Sequence, residues 1–305
     1  MTVHDRNSDN RDTLKRFVFE NFDVRGKLVH LDAAWRAMMA TTDYPETIRA
    51  LLGEAAAATA LLASTIKFDG RLTLQVQGGG DLSLLVVQCS SGLALRGMAS
   101  WQGDNPQGDF ASLVGDGRMV FTIDANSEGQ RYQGIVETSG ASLAECIQGY
   151  FENSEQLPTR LWLSASQERA TGMLLQRMPP ASRAQGSNLV EEDVDAWQRV
   201  QLLADTITNA ELMQLPDGDV LRRLFHEEDL RVFEALPVSF RCQCSQERVA
   251  NTLRMLGKDE VQSILEEEGA VKVNCDFCNR AYSFDGVDVA LLFASDAPPG
   301  SATLQ

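Results

Sequence analysis

Four cysteines carry the most specific chemistry in this sequence. Cys242 and Cys244 are one residue apart, thirty residues follow, and Cys275 and Cys278 are two residues apart. Thiolates are soft ligands, and two close pairs, each supplied from one turn, provide the corners of a tetrahedral Zn²⁺ site. Cysteines buried as ordinary apolar residues are seldom grouped this way, four within 37 consecutive residues. A thioredoxin-like CxxC opens a helix after a strand, whereas VKVN and RAYSF, on either side of the second pair, both alternate as strands. One Zn²⁺ per chain is therefore expected on Cys242, Cys244, Cys275 and Cys278.

The segment holding them, residues 238–294, is short, and a core of that size is marginal without a staple. Structural zinc contributes an apparent ~10–16 kcal/mol to folding, comparable with the whole ~5–15 kcal/mol stability of a typical domain. Metal should decide whether the segment is folded. Four thiols allow three pairings on oxidation. Long-range pairings would cross-link the segment and hold it together. The local ones close very small rings that restrain an unfolded chain little, and a one-residue spacing is strained. Local oxidation would expel zinc and leave the segment without its staple, and strained disulfides are the labile, regulatory kind. By themselves the residues read as a zinc-gated redox switch.

The rest of the chain must position this switch. Over residues 14–180 the pattern is α+β: a sheet with packed helices. LKRFVFE and VRGKLVHL alternate as strands, with Asn21 and Gly26 as breaks. Asp32 is expected to cap a helix through Met39, and Pro45 to open a long one through Ile66. RLTLQVQ, DLSLLVVQCS and GLALRGMAS follow with too little chain between them for crossovers, so an antiparallel meander is expected. RMVFTIDA and RYQGIVET read as a hairpin about residues 126–129, SLAECIQGYFENSEQ as a helix, and RLWLSAS and ATGMLLQRM as strands.

Beyond Pro180 the character changes to an acidic helical linker, residues 181–237. Asn188 and Glu191 form a capping-box signature, and Val190, Val194, Trp197, Val200 and Leu203 share one helical face. DVLRRLFHEEDLRVFE reads as a further helix. Between Glu191 and Glu234 twelve acidic residues meet four basic ones, a net of −8. Such a piece should lie on its neighbours and detach easily, uncovering its apolar stripe. In the last segment a strand carries Cys242 and Cys244, helices start at Ser245 and Lys258, and a hairpin carries the second pair. Gly257 and Gly269 are expected to end those two helices, and VDVALLF to form a last short helix. Residues 1–13 and 295–305 read as disordered tails.

Composition excludes several functions. The net charge of −16 and pI near 4.6 argue against a nucleic-acid or anionic-membrane partner, since both need a basic face. The polar start lacks an apolar signal region, and the Ala-rich stretch with Glu54 reads as a buried helix, so a soluble cytoplasmic protein is expected. Gly78, Gly79 and Gly80 precede a strand and no GK[ST] follows, so a tight turn is expected rather than a phosphate loop. Three histidines and no HExxH or Ser-His-Asp arrangement leave no catalytic residue to name. Cys89 and Cys146 are expected to be buried bystanders. The alternative class is an enzyme carrying a structural four-cysteine zinc module.

FRCQCSQERVANTLRMLGKDEVQSIL and VKVNCDFCNRAYSFDGVDVALLF resemble the C-terminal redox-switch domain of the heat shock protein 33 family, the redox-regulated bacterial holdase chaperones. CxC followed some thirty residues later by CxxC is highly specific to that family. The resemblance extends through GGGDLSLLVVQC and MLLQRMP, from about residue 14 to 293. It implies that Cys242, Cys244, Cys275 and Cys278 hold Zn²⁺ in a silent, reduced form. It further implies that oxidation pairs Cys242 with Cys244 and Cys275 with Cys278, releases zinc and unfolds the switch and linker. The activated homodimer would then bind unfolding client proteins without ATP.

Overall fold

The alternating runs of residues 14–180 do become strands, and they sort into two sheets where one was expected. The computed structural model describes residues 12–66, 68–125, 131–179 and 195–294. Its class is α+β, and the chain divides into Met1–Arg241 and Cys242–Gln305.

In the first unit β1 (Thr13–Phe19), β2 (Val24–Leu31), α1 (Ala33–Met39) and α2 (Glu46–Ala63) lead into the meander β3 (Gly70–Gln77), β4 (Leu82–Ser90) and β5 (Ala94–Trp101). A short α3 (Phe110–Val114), unforeseen in the sequence, precedes β6 (Arg118–Ala125), β7 (Arg131–Val136), α4 (Leu143–Asn153), β8 (Thr159–Ala165) and β9 (Ala170–Arg177). The acidic segment supplies α5 (Ala196–Ala204), α6 (Asn209–Gln214), α7 (Asp217–Phe225), β10 (Leu230–Val232) and β11 (Leu236–Pro237), and β12 (Ser239–Phe240) follows it, still within the first unit. One sheet runs β10-β1-β2-β9-β8 with β11 also on β1, and the other runs β12-β5-β4-β3-β6-β7. The split arises because β2 pairs with β9 along its whole length, from Val24↔Arg177 to Leu31↔Ala170, and not with the meander.

Helix α2 touches strands of both sheets. Its alanines at 55–58, 60 and 63 are buried, small enough to admit a sheet on either side. The close approach is matched by Gly97 of β5, whose missing Cβ leaves room for Met38 and Leu52, and by Gly172 of β9 beside Leu61 and Ala57. Glu54 lies in this helix, and burial pushes its carboxyl up to about 7. No helix among the described residues is long and apolar enough to cross a membrane.

Two local expectations need correction. Gly26 does not break a strand; it sits inside β2 opposite Phe17, whose ring lies where a Cβ at position 26 would be. Helix α1 starts after Asp32, but the Asp32 side chain makes no capping bond. The carboxylate of Asp12 instead accepts the N–H groups of Asp32, Ala33 and Ala34 at 2.8–3.0 Å, satisfying donors that a helix start leaves open. Asp12 and Thr13, expected in the tail, therefore belong to the fold. The Gly78–Gly80 turn is used structurally: Gly79 and Gly80 both donate to the Val114 carbonyl.

The acidic segment, described from residue 195, lies within the first unit. Helices α5–α7 cover the face of the β10-β1-β2-β9-β8 sheet opposite α2, burying Val200, Ala204, Leu212, Leu224 and Phe225 against Phe17, Phe19, Val24, Leu28, Met173 and Leu175. Trp197 and Leu203 are half-buried in the same cluster. The Asn188–Glu191 signature lies outside the described residues, as do residues 126–130; the capping box present is Thr208 with Glu211 at the start of α6. Residues 230–232, expected as helix, form β10, because the outer edge of β1 offers backbone partners there.

The carboxylates of this segment are not all solvated. Asp205 accepts from Trp162 Nε1 at 3.1 Å and faces Arg160. Asp217, at the first turn of α7, stands 2.9 Å from His30 Nε2 and 3.2 Å from Lys15 Nζ. Burial alone would push the Asp217 carboxyl up. The adjacent His30 imidazole and Lys15 ammonium outweigh it and hold the carboxyl below the usual range. A depressed carboxyl stabilises the docked helix above the unfolded-state value, near ~3.9, and that contribution is lost as pH falls through the folded value. Acidification below about pH 4 is therefore expected to raise hydrogen exchange across residues 217–225. Asp217→Asn should raise it at pH 7, at a cost of about 3–5 kcal/mol for breaking a buried pair. Equal protection in the variant and the unchanged chain at pH 7 would refute a holding role for the Asp217 contacts with His30 and Lys15.

Candidate metal centre

The second unit contains α8 (Gln246–Leu256), α9 (Lys258–Glu268), β13 (Val271–Asn274), β14 (Ala281–Phe284) and α10 (Gly286–Ala294). Ser245 caps α8 by accepting the Arg248 N–H, and Gly257 and Gly269 end α8 and α9 as expected, Gly269 in the left-handed region at φ 75°. Its buried apolar set is Leu253, Val261, Val271, Tyr282, Phe284, Val289 and Leu292, a small core for two antiparallel strands and three helices. The change of unit comes at Cys242, after Val238 has joined the first core and β12 has paired with β5.

Cys242 and Cys244 were expected on a strand, but they lie in irregular chain between β12 and α8. The reason is local. The Cys244 N–H turns back to the Cys242 sulfur, a bond that extended backbone cannot make. Cys275 and Cys278 sit in the turn between β13 and β14. There Asn279, at φ 53°, donates its N–H to the Cys275 carbonyl at 2.7 Å, and the Cys275 N–H reaches the Arg280 carbonyl at 3.0 Å. The Cys275 sulfur receives the N–H groups of Phe277 and Cys278, and the Cys278 sulfur that of Arg280.

These two turns bring all four sulfurs within 4.8 Å of one another. Cys242 Sγ is 3.6 Å from Cys275 Sγ, and Cys244 Sγ is 3.4 Å from Cys278 Sγ. A tetrahedron with Zn–S bonds of about 2.3 Å has edges of about 3.8 Å, so the donor set and its spacing fit a tetrahedral soft cation. The thiols do not titrate alike. Burial pushes Cys278 up to about 12 and raises Cys275. At Cys242 burial also pushes upward, but the Cys244 N–H and the neighbouring sulfurs prevail and bring it down to about 7. Four anionic sulfurs this close repel one another, and a divalent cation among them removes that cost.

The remaining two cysteines lie elsewhere. Cys89 on β4 and Cys146 on α4 are both buried, and burial pushes the Cys89 thiol up to about 12 and raises that of Cys146. Neither offers a ready thiolate. What sequence reasoning missed at the centre is Tyr282, whose hydroxyl lies 3.0 Å from Cys244 Sγ. Its only signal was position, four residues past Cys278 on the next strand.

Comparison with known proteins places the chain among relatives of one family. The family described as Hsp33 protein matches residues 12–285. The 33 kDa chaperonin of Nitrosococcus oceani is 48% identical over 285 residues, covering 93% of this chain and 95% of that protein. That of Shewanella denitrificans is 43% identical over 296 residues, covering 97% and 99%. The crystal structure of the 33 kDa chaperonin of Thermotoga maritima matches with a TM-score of 0.80 at 22% identity, over 94% of this chain and 100% of that one, and thereby supports the fold.

Proposed function

The chain belongs to the Hsp33 family, which is one of chaperones and not of enzymes, and from this we propose that it is a redox-regulated holdase that works without ATP. The observation that carries the reading is the cluster of four sulfurs within 4.8 Å in a unit with so small a core. In the reduced state Cys242, Cys244, Cys275 and Cys278 would hold one Zn²⁺. The ion would supply a cross-link between the chain ahead of α8 and the β13–β14 turn. Each thiol pair gives two electrons to a peroxide, forming one S–S bond and two waters from H₂O₂. We assign the pairs as Cys242–Cys244 and Cys275–Cys278. With both formed, no thiolate remains to hold the ion and no covalent bond joins the two segments.

The second unit then unfolds and α5–α7 lose their hold on the sheet. Removing those helices bares Phe17, Phe19, Val24, Leu28, Met173 and Leu175 on one side and the Val200–Leu224–Phe225 face on the other. Unfolding clients would bind this apolar surface, and the activated form would dimerise. The net charge of −16 weighs against a nucleic-acid or anionic-membrane partner, and a cytoplasmic location is part of the same proposal.

The test is light scattering from a thermally unfolding client with no nucleotide present, comparing the reduced, zinc-loaded protein with the same preparation after peroxide at elevated temperature. A chelating dye follows the metal, and peptide mapping follows the disulfides. Suppression only by the oxidised, zinc-free form, reversed by reductant and zinc, is the expected result. Zinc retained through oxidation, or lost without any gain in suppression, would make the cysteines a purely structural clamp.

A further inference from the structure

Tyr282 is placed on β14 with its ring in the small core and its hydroxyl on the metal centre. The residue is 9% exposed, and the Arg280 guanidinium lies 5.6 Å from the ring centroid. Its O–H donates to Cys244 Sγ at 3.0 Å. Apart from one another, the sulfurs of Cys242, Cys275 and Cys278 take hydrogen bonds from backbone N–H groups of the two turns, which come with the turn geometry. At Cys244 a side chain from outside the cysteine set contributes one, and side chains can be altered.

A donor hydrogen-bonded to a thiolate draws charge from the sulfur and fixes its direction, which favours ligation and makes the sulfur a poorer nucleophile. We propose that Tyr282 is a positioning residue of the metal centre: its hydroxyl holds Cys244 Sγ in its ligating orientation and slows attack by that sulfur on electrophiles, so that it sets how readily the centre opens. This rests on the reading of the four cysteines as a Zn²⁺ switch. A core role for the ring alone is the competing explanation, and it makes a different prediction because the ring and the hydroxyl can be separated.

Tyr282→Phe keeps the ring and removes only the donor. The full chain, reduced and loaded with Zn²⁺, would be titrated with a chelator, then pulsed with iodoacetamide and mapped by mass spectrometry to rank alkylation at the four cysteines. Loss of an outer-shell partner is expected to weaken Zn²⁺ binding about tenfold, and Cys244 alone should move up the order of alkylation. A variant that binds Zn²⁺ as the unchanged chain does, with the same order, overturns the assignment. Uniform acceleration at all four cysteines overturns it too, because general loosening of the core would produce that. If the unchanged chain takes up no Zn²⁺, both this inference and the switch fall; if it does and Tyr282→Phe is indifferent, only this inference falls.

Discussion

If the four cysteines hold Zn²⁺ as proposed, stripping it from the reduced protein with a strong chelator is expected to unfold residues 242–294 and leave the first unit folded. The seven buried apolar residues of the second unit are too few for a domain that must order more than fifty residues. The meeting of the two cysteine turns joins residues 33 and 34 positions apart and ties the start of the unit to its hairpin. Helix α8 is capped by Ser245, the residue after Cys244, so its placement against α9 and α10 depends on that meeting. An apparent ~10–16 kcal/mol from structural zinc exceeds what such a core can supply. Amides of α8, α9 and the β13–β14 hairpin should lose exchange protection together, while those of α2 and its flanking strands keep it. Cys275→Ser should reproduce the result with zinc present. Persistent protection after chelation would show that the core suffices, and oxidation would then have no leverage on the fold.

The second large effect is expected at Phe225. Its ring, 2% exposed, packs edge-on to Phe19 at 5.2 Å and tilted against Phe17 at 6.1 Å, at the centre of the contact between α7 and the sheet. Truncating a buried Phe costs about 3–5 kcal/mol. Docking of a peripheral segment is worth less than global stability, so Phe225→Ala should release α5–α7 while the α2 core stays intact. If the face beneath them binds clients, the reduced, zinc-loaded variant will suppress client aggregation with no oxidant added. Scattering and exchange measured on one sample decide the matter. Released helices in a variant that stays silent would move the client site elsewhere.

Legibility in the sequence followed the range of the interactions. The meander β3–β5, the β6–β7 pair and the Ala-rich α2 were readable because alternation and turn residues act over a few positions. Four cysteines in CxC and CxxC spacing located the candidate centre for the same reason. The second sheet was not readable, since Val24 pairs with Arg177 and nothing near either residue announces the other. ATGMLLQR is buried at every position but its last, Thr171 and Gln176 included, because a second layer covers the other face of the sheet, and nothing local announces that layer. Residues 230–232 followed a helical pattern, and a neighbouring strand edge overrode it. Asp12 looked like tail because its partners, the first N–H groups of α1, lie twenty residues further on.

The segment that shields the apolar face also closes a strand edge. Outward from β2, β1 is paired with β10 at Phe17–Phe19 and with β11 at Thr13 and Leu14, and the Phe233 N–H meets the Arg16 carbonyl. Departure of residues 230–237 would therefore uncover a row of main-chain donors and acceptors beside Phe17 and Phe19. Such a row recognises what every polypeptide has in common, its peptide groups, and is indifferent to side-chain order. Stickiness and lack of sequence preference would thus be unmasked in a single movement, and the resting fold would keep an aggregation-prone border sealed with a piece of itself.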